Sequence, residues 1–156
     1  MNQQKGYRAY FLLAAMLGLH FVAMYAIMYS MVDGVRDIFL NRNNLYMAAL
    51  MSLPMLILEI LLMRSMYANK GINWLLGSLG TALFVLFFVF MRQQVFIDDR
   101  EFLRSMIPHH SGAILMCEQA DLEQSGVQRL CADIVRNQHE EIDRMKALLS
   151  QMEGER

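Results

Sequence analysis

For its first 97 residues the chain alternates between long apolar runs and short polar breaks, and then it changes character. Residues 9–32 (AYFLLAAMLGLHFVAMYAIMYSMV), 45–63 (LYMAALMSLPMLILEILLM) and 72–91 (INWLLGSLGTALFVLFFVFM) are almost wholly apolar. Each holds about 20 residues, the length an α-helix needs to cross a hydrocarbon core of roughly 30 Å. Three membrane helices are therefore predicted. The breaks between them, DGVRDIFLNRNN and YANKG, are short enough for antiparallel neighbours.

Beyond residue 97 the pattern is amphipathic. Val95, Phe96, Phe102, Leu103 and Met106 keep a helical spacing and no turn residue interrupts 92–107, so the third span is read as continuing into the tail. Pro108 is expected to kink that helix by leaving the Arg104 carbonyl without a donor. After the break EQSG, Leu130, Ile134, Ile142, Met145 and Leu149 recur at helical intervals within 127–150. The expected fold class is all-α: a transmembrane region in 1–97, followed by an extramembrane antiparallel helical hairpin in 98–152. Two helices share too little core to stand alone. The hairpin is therefore expected to complete a four-helix bundle against a second copy, making a homo-oligomer.

Charge separates the same two regions, with a net +4 over 1–97 and −5 over 98–156. Lys5 and Arg8 precede the first span as in a signal peptide. The apolar run is too long for one and lacks a small-x-small cleavage site, so it is read as a retained anchor. Lys5, Arg8, Arg64 and Lys70 outnumber Arg36 and Arg42 of the first loop, which favours an inside amino terminus and an outside tail. Arg92, Arg100 and Arg104 narrow or reverse that lead. The expected location is a bacterial inner membrane with the hairpin on the periplasmic side. The acidic tail argues against nucleic acid as a partner.

The tail also gathers chemistry. In a hairpin turning near Gln124, residues whose numbers sum to about 248 lie level, which sets Cys117 by Cys131, His110 by Gln138 and His109 by His139. Met106, His110 and Cys117 share one helical face, and Cys131, Gln138 and Met145 share another. Thioether, thiolate and imidazole together suit Cu(I), or Ag(I) as its mimic, better than hard cations or structural zinc. The expected ligands are His109, His110, Met106, Met116, His139 and Met145, with Cys117 and Cys131 as further candidates. The opposing reading makes the methionines plain packing groups. The cysteines are compatible with a thiol pair, a disulfide or thiolate ligation.

The segment from Asp99 through FLRSMIPHHSGAILM to IVRNQHEEIDRM resembles the family catalogued as domain of unknown function 305, which includes the CopM-like copper-binding proteins. The matching positions are Phe102, Met106, Pro108, His109, His110, Ala113 and Met116, then Ile134, Gln138, Glu141, Ile142 and Met145. The resemblance covers about the last third of the chain. It implies a ferritin-like helical bundle, exported, with Met and His binding Cu(I) or Ag(I). Longer members carry the helical pair twice, and this chain carries it once.

Nine of the 15 methionines lie in or beside the first two spans. Met16, His20, Met24 and Met28 follow one another at i+4 in the first span, and Met47, Met51, Met55, Glu59 and Met63 do so in the second. A carboxylate inside lipid costs roughly 2.5–3.5 kcal/mol and is a functional candidate by default. This raises a third reading, a metal path through the membrane along His20, Met24, Met28, Met47, Met51, Met55 and Glu59. The spacing of Met47, Met51 and Met55 is weakly similar to Ctr-type copper transporters, although Pro54 and the absence of a Met-rich amino-terminal segment depart from that pattern. The opposing reading leaves His20 a hydrogen-bonded core residue and takes Glu59 to the headgroups beside Arg64. There is no E-x-x-H pair, phosphate loop or nucleophile elbow, so no enzyme is expected. Copper sequestration or handover is the favoured function, and a structural or assembly role for the hairpin is the alternative.

Overall fold

The computed structural model describes residues 3–154, with side chains from residue 7 onward, so Lys5 lies outside the described side chains. The described residues are all-helical, in the order α1 (Gln3–Ile27), two short 3-10 turns (Met28–Met31 and Val35–Asp37), α2 (Arg42–Leu62), α3 (Lys70–Gln93), α4 (Asp99–Gln119) and α5 (Ser125–Gly154). Three stretches, Tyr7–Met31, Arg42–Leu62 and Lys70–Gln93, are long and apolar enough to cross a membrane.

The chain divides into two compact units. The first holds α1, α2 and α3. Its core joins Leu13 of α1 to Leu56 and Ile60 of α2 and to Tyr67 of the following turn. Tyr10 stacks beside Tyr67 and donates its hydroxyl to Asn73, while Asn73 donates to the Tyr67 carbonyl and Asn69 caps α3. These bonds supply the polar groups of a turn that apolar packing would leave unmatched. At the other end of the unit the Tyr46 hydroxyl donates to the Val95 carbonyl.

The third span does not run on into the tail. α3 ends with Gln94 in the left-handed region, at φ 51°, and α4 begins at an Asp98 side chain that accepts from the Glu101 N–H. Asp98 followed three residues later by Glu101 is a capping signature, and it outweighs the helical spacing of the apolar residues around it. Pro108 then lies inside one continuous helix, α4.

The second unit is the α4–α5 hairpin together with Met28–Arg42, the segment between α1 and α2. Leu103, Ile107 and Ile114 of α4 meet Ile142, Met145 and Leu149 of α5 in one buried cluster, with Phe39 of the segment packed against it. The hairpin is therefore not the lone pair of helices that the sequence pattern implied. A stretch expected to be the end of the first span and a plain loop covers part of its apolar face. That segment is held by the Asp33 N–H donating to Ser111 Oγ, by a Lys146–Asp37 ion pair, and by the Arg42 N–H donating to Glu101.

Candidate functional site

The core stripe of α4 sets the position of every other side chain on that helix. With Leu103, Ile107 and Ile114 turned onto α5, His110 falls on the edge of the same face. Its side chain keeps only 15% of its exposure, and Nδ1 lies 3.0 Å from Glu141 Oε2 of α5. The pair is close but out of line: Nδ1 is buried and makes no hydrogen bond. Burial pushes the His110 imidazole below the ordinary histidine range. The Glu141 carboxylate pulls the other way, and His109 adds to the lowering. The result is a largely neutral imidazole with an orphaned nitrogen, which is the protonation state that ligates metals.

His109, one residue earlier, is exposed, and its ring centre lies 6.1 Å from that of His110. On the opposite edge of the stripe, Ser111 and Gly112 are buried against Met28–Arg42. The run HHSG thus serves two purposes, with imidazoles on one flank and a docking surface on the other.

The remaining expected ligands lie in different surroundings. Met106 and Met145 are in the hydrophobic cluster, whereas Met116 is 56% exposed and His139 is exposed. Cys117 and Cys131 are joined in a disulfide with Cα atoms 5.3 Å apart, so neither is a thiolate ligand in this state. The bridge bears out the expected register at the hairpin tip. Further along, His110 meets Glu141, one helical turn beyond Gln138 on α5. Among the described residues no group of three or more His, Cys, Asp or Glu is gathered for a metal ion. As a test of fit, the donor set offers His110 with its unpartnered nitrogen, His109 beside it, and the oxygen of Glu141.

The membrane-path candidates are divided as well. His20 Nδ1 is hydrogen-bonded to the buried Ser52 Oγ at 3.2 Å, and Glu59 accepts from the Tyr67 hydroxyl at 3.2 Å. Met16 packs against the core of the first unit, Met24 and Met47 are half-buried, and Met51 and Met55 are exposed. α1 ends at Ile27, so Met28 opens a 3-10 turn in the second unit and the stripe from Met16 is cut before it reaches Met28.

Glu141, Ser111, Gly112 and Phe39 are the contributors that the sequence reading left out of the site. Glu141 was a matching family position, and Phe39 and Leu40 were conspicuous apolar residues in a break between spans.

The chain belongs to the DUF305 family, described as a domain of unknown function, whose match covers residues 92–152. It is also similar to Uncharacterized protein L153 of Acanthamoeba polyphaga mimivirus, at 31% identity over 121 residues, covering 76% of this chain and 78% of that one. That alignment is longer than 92–152 and so takes in residues outside the matched domain. No solved structure matches.

Proposed function

We propose that this is an integral membrane protein that binds a soft metal ion, Cu(I) or its mimic Ag(I), on the hairpin for copper sequestration or handover. His109 and His110 are the central ligands. The observation that carries this reading is the buried Nδ1 of His110, which lies beside Glu141 without a hydrogen bond. Native proteins leave few buried polar atoms unpaired, and an ion is one of the standard explanations for such an atom. A soft ion bound there would be held by imidazole nitrogens, with any thioether drawn from Met106, whose position borders the cluster.

Three spans put Met28–Arg42 and the hairpin on the same side of the membrane, which accords with their packing as one unit. The Cys117–Cys131 bridge supports an oxidising compartment on that side, such as a bacterial periplasm. Self-association through the exposed remainder of the hairpin belongs to the same proposal, and so does the absence of catalysis.

A second reading has its own support. Met145 is a core group with Met106 packed against the same cluster, which favours a structural or assembly module. One experiment separates the two: an anaerobic Cu(I) titration of the full-length protein in detergent, with bound metal counted per chain. Replacing His109 and His110 together by Ala is expected to remove most of the binding while helicity is retained. Undiminished stoichiometry would remove the histidines from the site and leave the structural reading standing.

A further inference from the structure

The unit formed by α1, α2 and α3 contains a groove of about 1140 Å³ that runs from the α2–α3 turn down between the two helices. It exceeds the roughly 300–1,000 Å³ typical of small-molecule pockets, and it opens outward. Its mouth carries Arg64 and Lys70, both exposed, and no Asp or Glu is among its lining residues. The acid closest in sequence, Glu59, accepts from the Tyr67 hydroxyl. The amides of Asn69 and Asn73 are likewise used inside the turn. Two cations are therefore left at the mouth with no acid in the groove to balance them.

Below the mouth the character changes. Trp74 is 78% exposed one turn into α3, the depth at which indoles mark a membrane–water boundary. Past it, α3 presents the small residues Gly77, Thr81 and Ala82, opposed by Ile57 and Leu61 of α2. Thr81 is no obstacle to hydrocarbon, because its hydroxyl donates to the Gly77 carbonyl at 2.9 Å within its own helix. From Lys70 to Val85, the ends of the groove along α3, the rise is about 22 Å at 1.5 Å per residue. Half of a bilayer roughly 40–45 Å thick including headgroups is about the same length.

We propose that this groove is a binding site for one anionic phospholipid, with its phosphate on Arg64 and Lys70 and an acyl chain lying along Gly77, Thr81 and Ala82. A second copy of the chain is the competing occupant, since small residues also let helices approach closely. Charge decides against it. A self-complementary contact on this face would set Arg64 and Lys70 against their own counterparts with no acid in the groove to offset them. The inference rests on the membrane placement of α2 and α3 and is independent of any metal on the hairpin.

The test uses the full-length protein in detergent supplemented with phosphatidylglycerol, with phosphatidylcholine of the same chains, or with inorganic phosphate. Lipid retained per chain is read by native mass spectrometry. The parent is expected to retain phosphatidylglycerol at least about tenfold over phosphatidylcholine, a difference of about 1.4 kcal/mol. The double variant Arg64→Gln and Lys70→Gln should lose that preference. Thr81→Leu with Ala82→Leu, which fills the groove, should reduce retention of both lipids. Resistance of each variant to alkaline extraction from membranes shows independently that it is inserted. Equal retention of the two lipids by the parent, or a preference that survives in the Gln variant, would overturn the proposal. So would inorganic phosphate displacing the lipid headgroup preference at millimolar concentration, or a Ser78→Cys variant that cross-links two chains through this face.

Discussion

Gly112 lies so close to the main chain of Met31 that a Cβ added to it would meet the Met31 carbonyl oxygen at 3.1 Å. Glycine inside a helix ordinarily costs about 1 kcal/mol relative to alanine, so its presence here trades helix propensity for the approach of another segment. Beside it, Ser111 Oγ receives the Asp33 N–H at 3.0 Å. Together the two residues fix Met28–Arg42 on the hairpin.

A side chain at position 112 should therefore loosen that segment. Overpacking costs about 1–3 kcal/mol, which in Gly112→Ala is partly offset by the gain in propensity, while Gly112→Leu has no such compensation of comparable size. The expected order of thermal stability is parent, then Ala, then Leu, with faster hydrogen exchange at the Asp33 amide in the variants. Gly126 in α5 has nothing within 4 Å of an added Cβ, so Gly126→Ala should be neutral or slightly stabilising. Equal effects at 112 and 126 would mean that the close approach has no energetic role.

The His110–Glu141 pair gives the hairpin a pH dependence whose sign follows from the lowered imidazole pKa. Between that lowered value and the ordinary 6.5, the unfolded chain binds more protons than the folded one, so stability rises with pH across the window. The contribution is complete above about 6.5 and declines as pH falls through the folded value. Thermal midpoints from pH 7.5 down to 5 should fall, and His110→Gln should flatten the slope. The groups facing His110 are Glu141 and His109, so His109→Gln is the control for the weaker of the two opposing charges. An unchanged slope in the His110 variant would assign the dependence elsewhere.

Much of this architecture was legible in advance, for identifiable reasons. Three runs of about 20 apolar residues and the helical spacing of Ile142, Met145 and Leu149 are local patterns that packing enforces. Cys117 and Cys131 were placed level by the hairpin turn alone, and the bridge bears out that register. The break after α3 was written in Asp98 and Glu101, but the apolar periodicity around it was given more weight than the cap. The contact of Met28–Arg42 with the hairpin was not legible. It joins residues 78 apart, as in Asp33 to Ser111, through a backbone amide that has no side-chain signature. Likewise, a ligand set inferred from residue types assumed that Met106, Met116, His139 and Met145 converge. A helix offers several faces, and the core had first claim on two of those four.

The disulfide makes a separable prediction, because it stabilises the hairpin without supplying a ligand. Its sequence separation is 14 residues, and closing a loop of that size removes about 3 kcal/mol of denatured-state entropy. Cys117→Ser with Cys131→Ser, or reduction of the parent, should lower hairpin stability by about 2–3 kcal/mol in denaturant titrations. Copper stoichiometry should stay the same in the double Ser variant. A fall in bound copper with the fold intact would return sulfur to the ligand set.

The methionine stripes call for the opposite experiment, one in which nothing is expected to change. Met51 and Met55 are exposed on α2, at 46% and 37%, so neither side chain is enclosed by the rest of its unit. His20 and Glu59 are already satisfied by Ser52 and Tyr67, which removes the need for a transported ion to balance them. Replacing Met47, Met51 and Met55 together by Leu keeps volume and hydrophobicity close to the parent while removing sulfur. Glu59→Gln retains a carbonyl oxygen able to accept from Tyr67. Both variants should bind as much Cu(I) as the parent and confer equal copper tolerance, since the proposed site is on the hairpin. A loss of metal in the Leu variant with folding intact would instead require Met51 and Met55 to meet ligands from another chain, and would revive a path through the membrane.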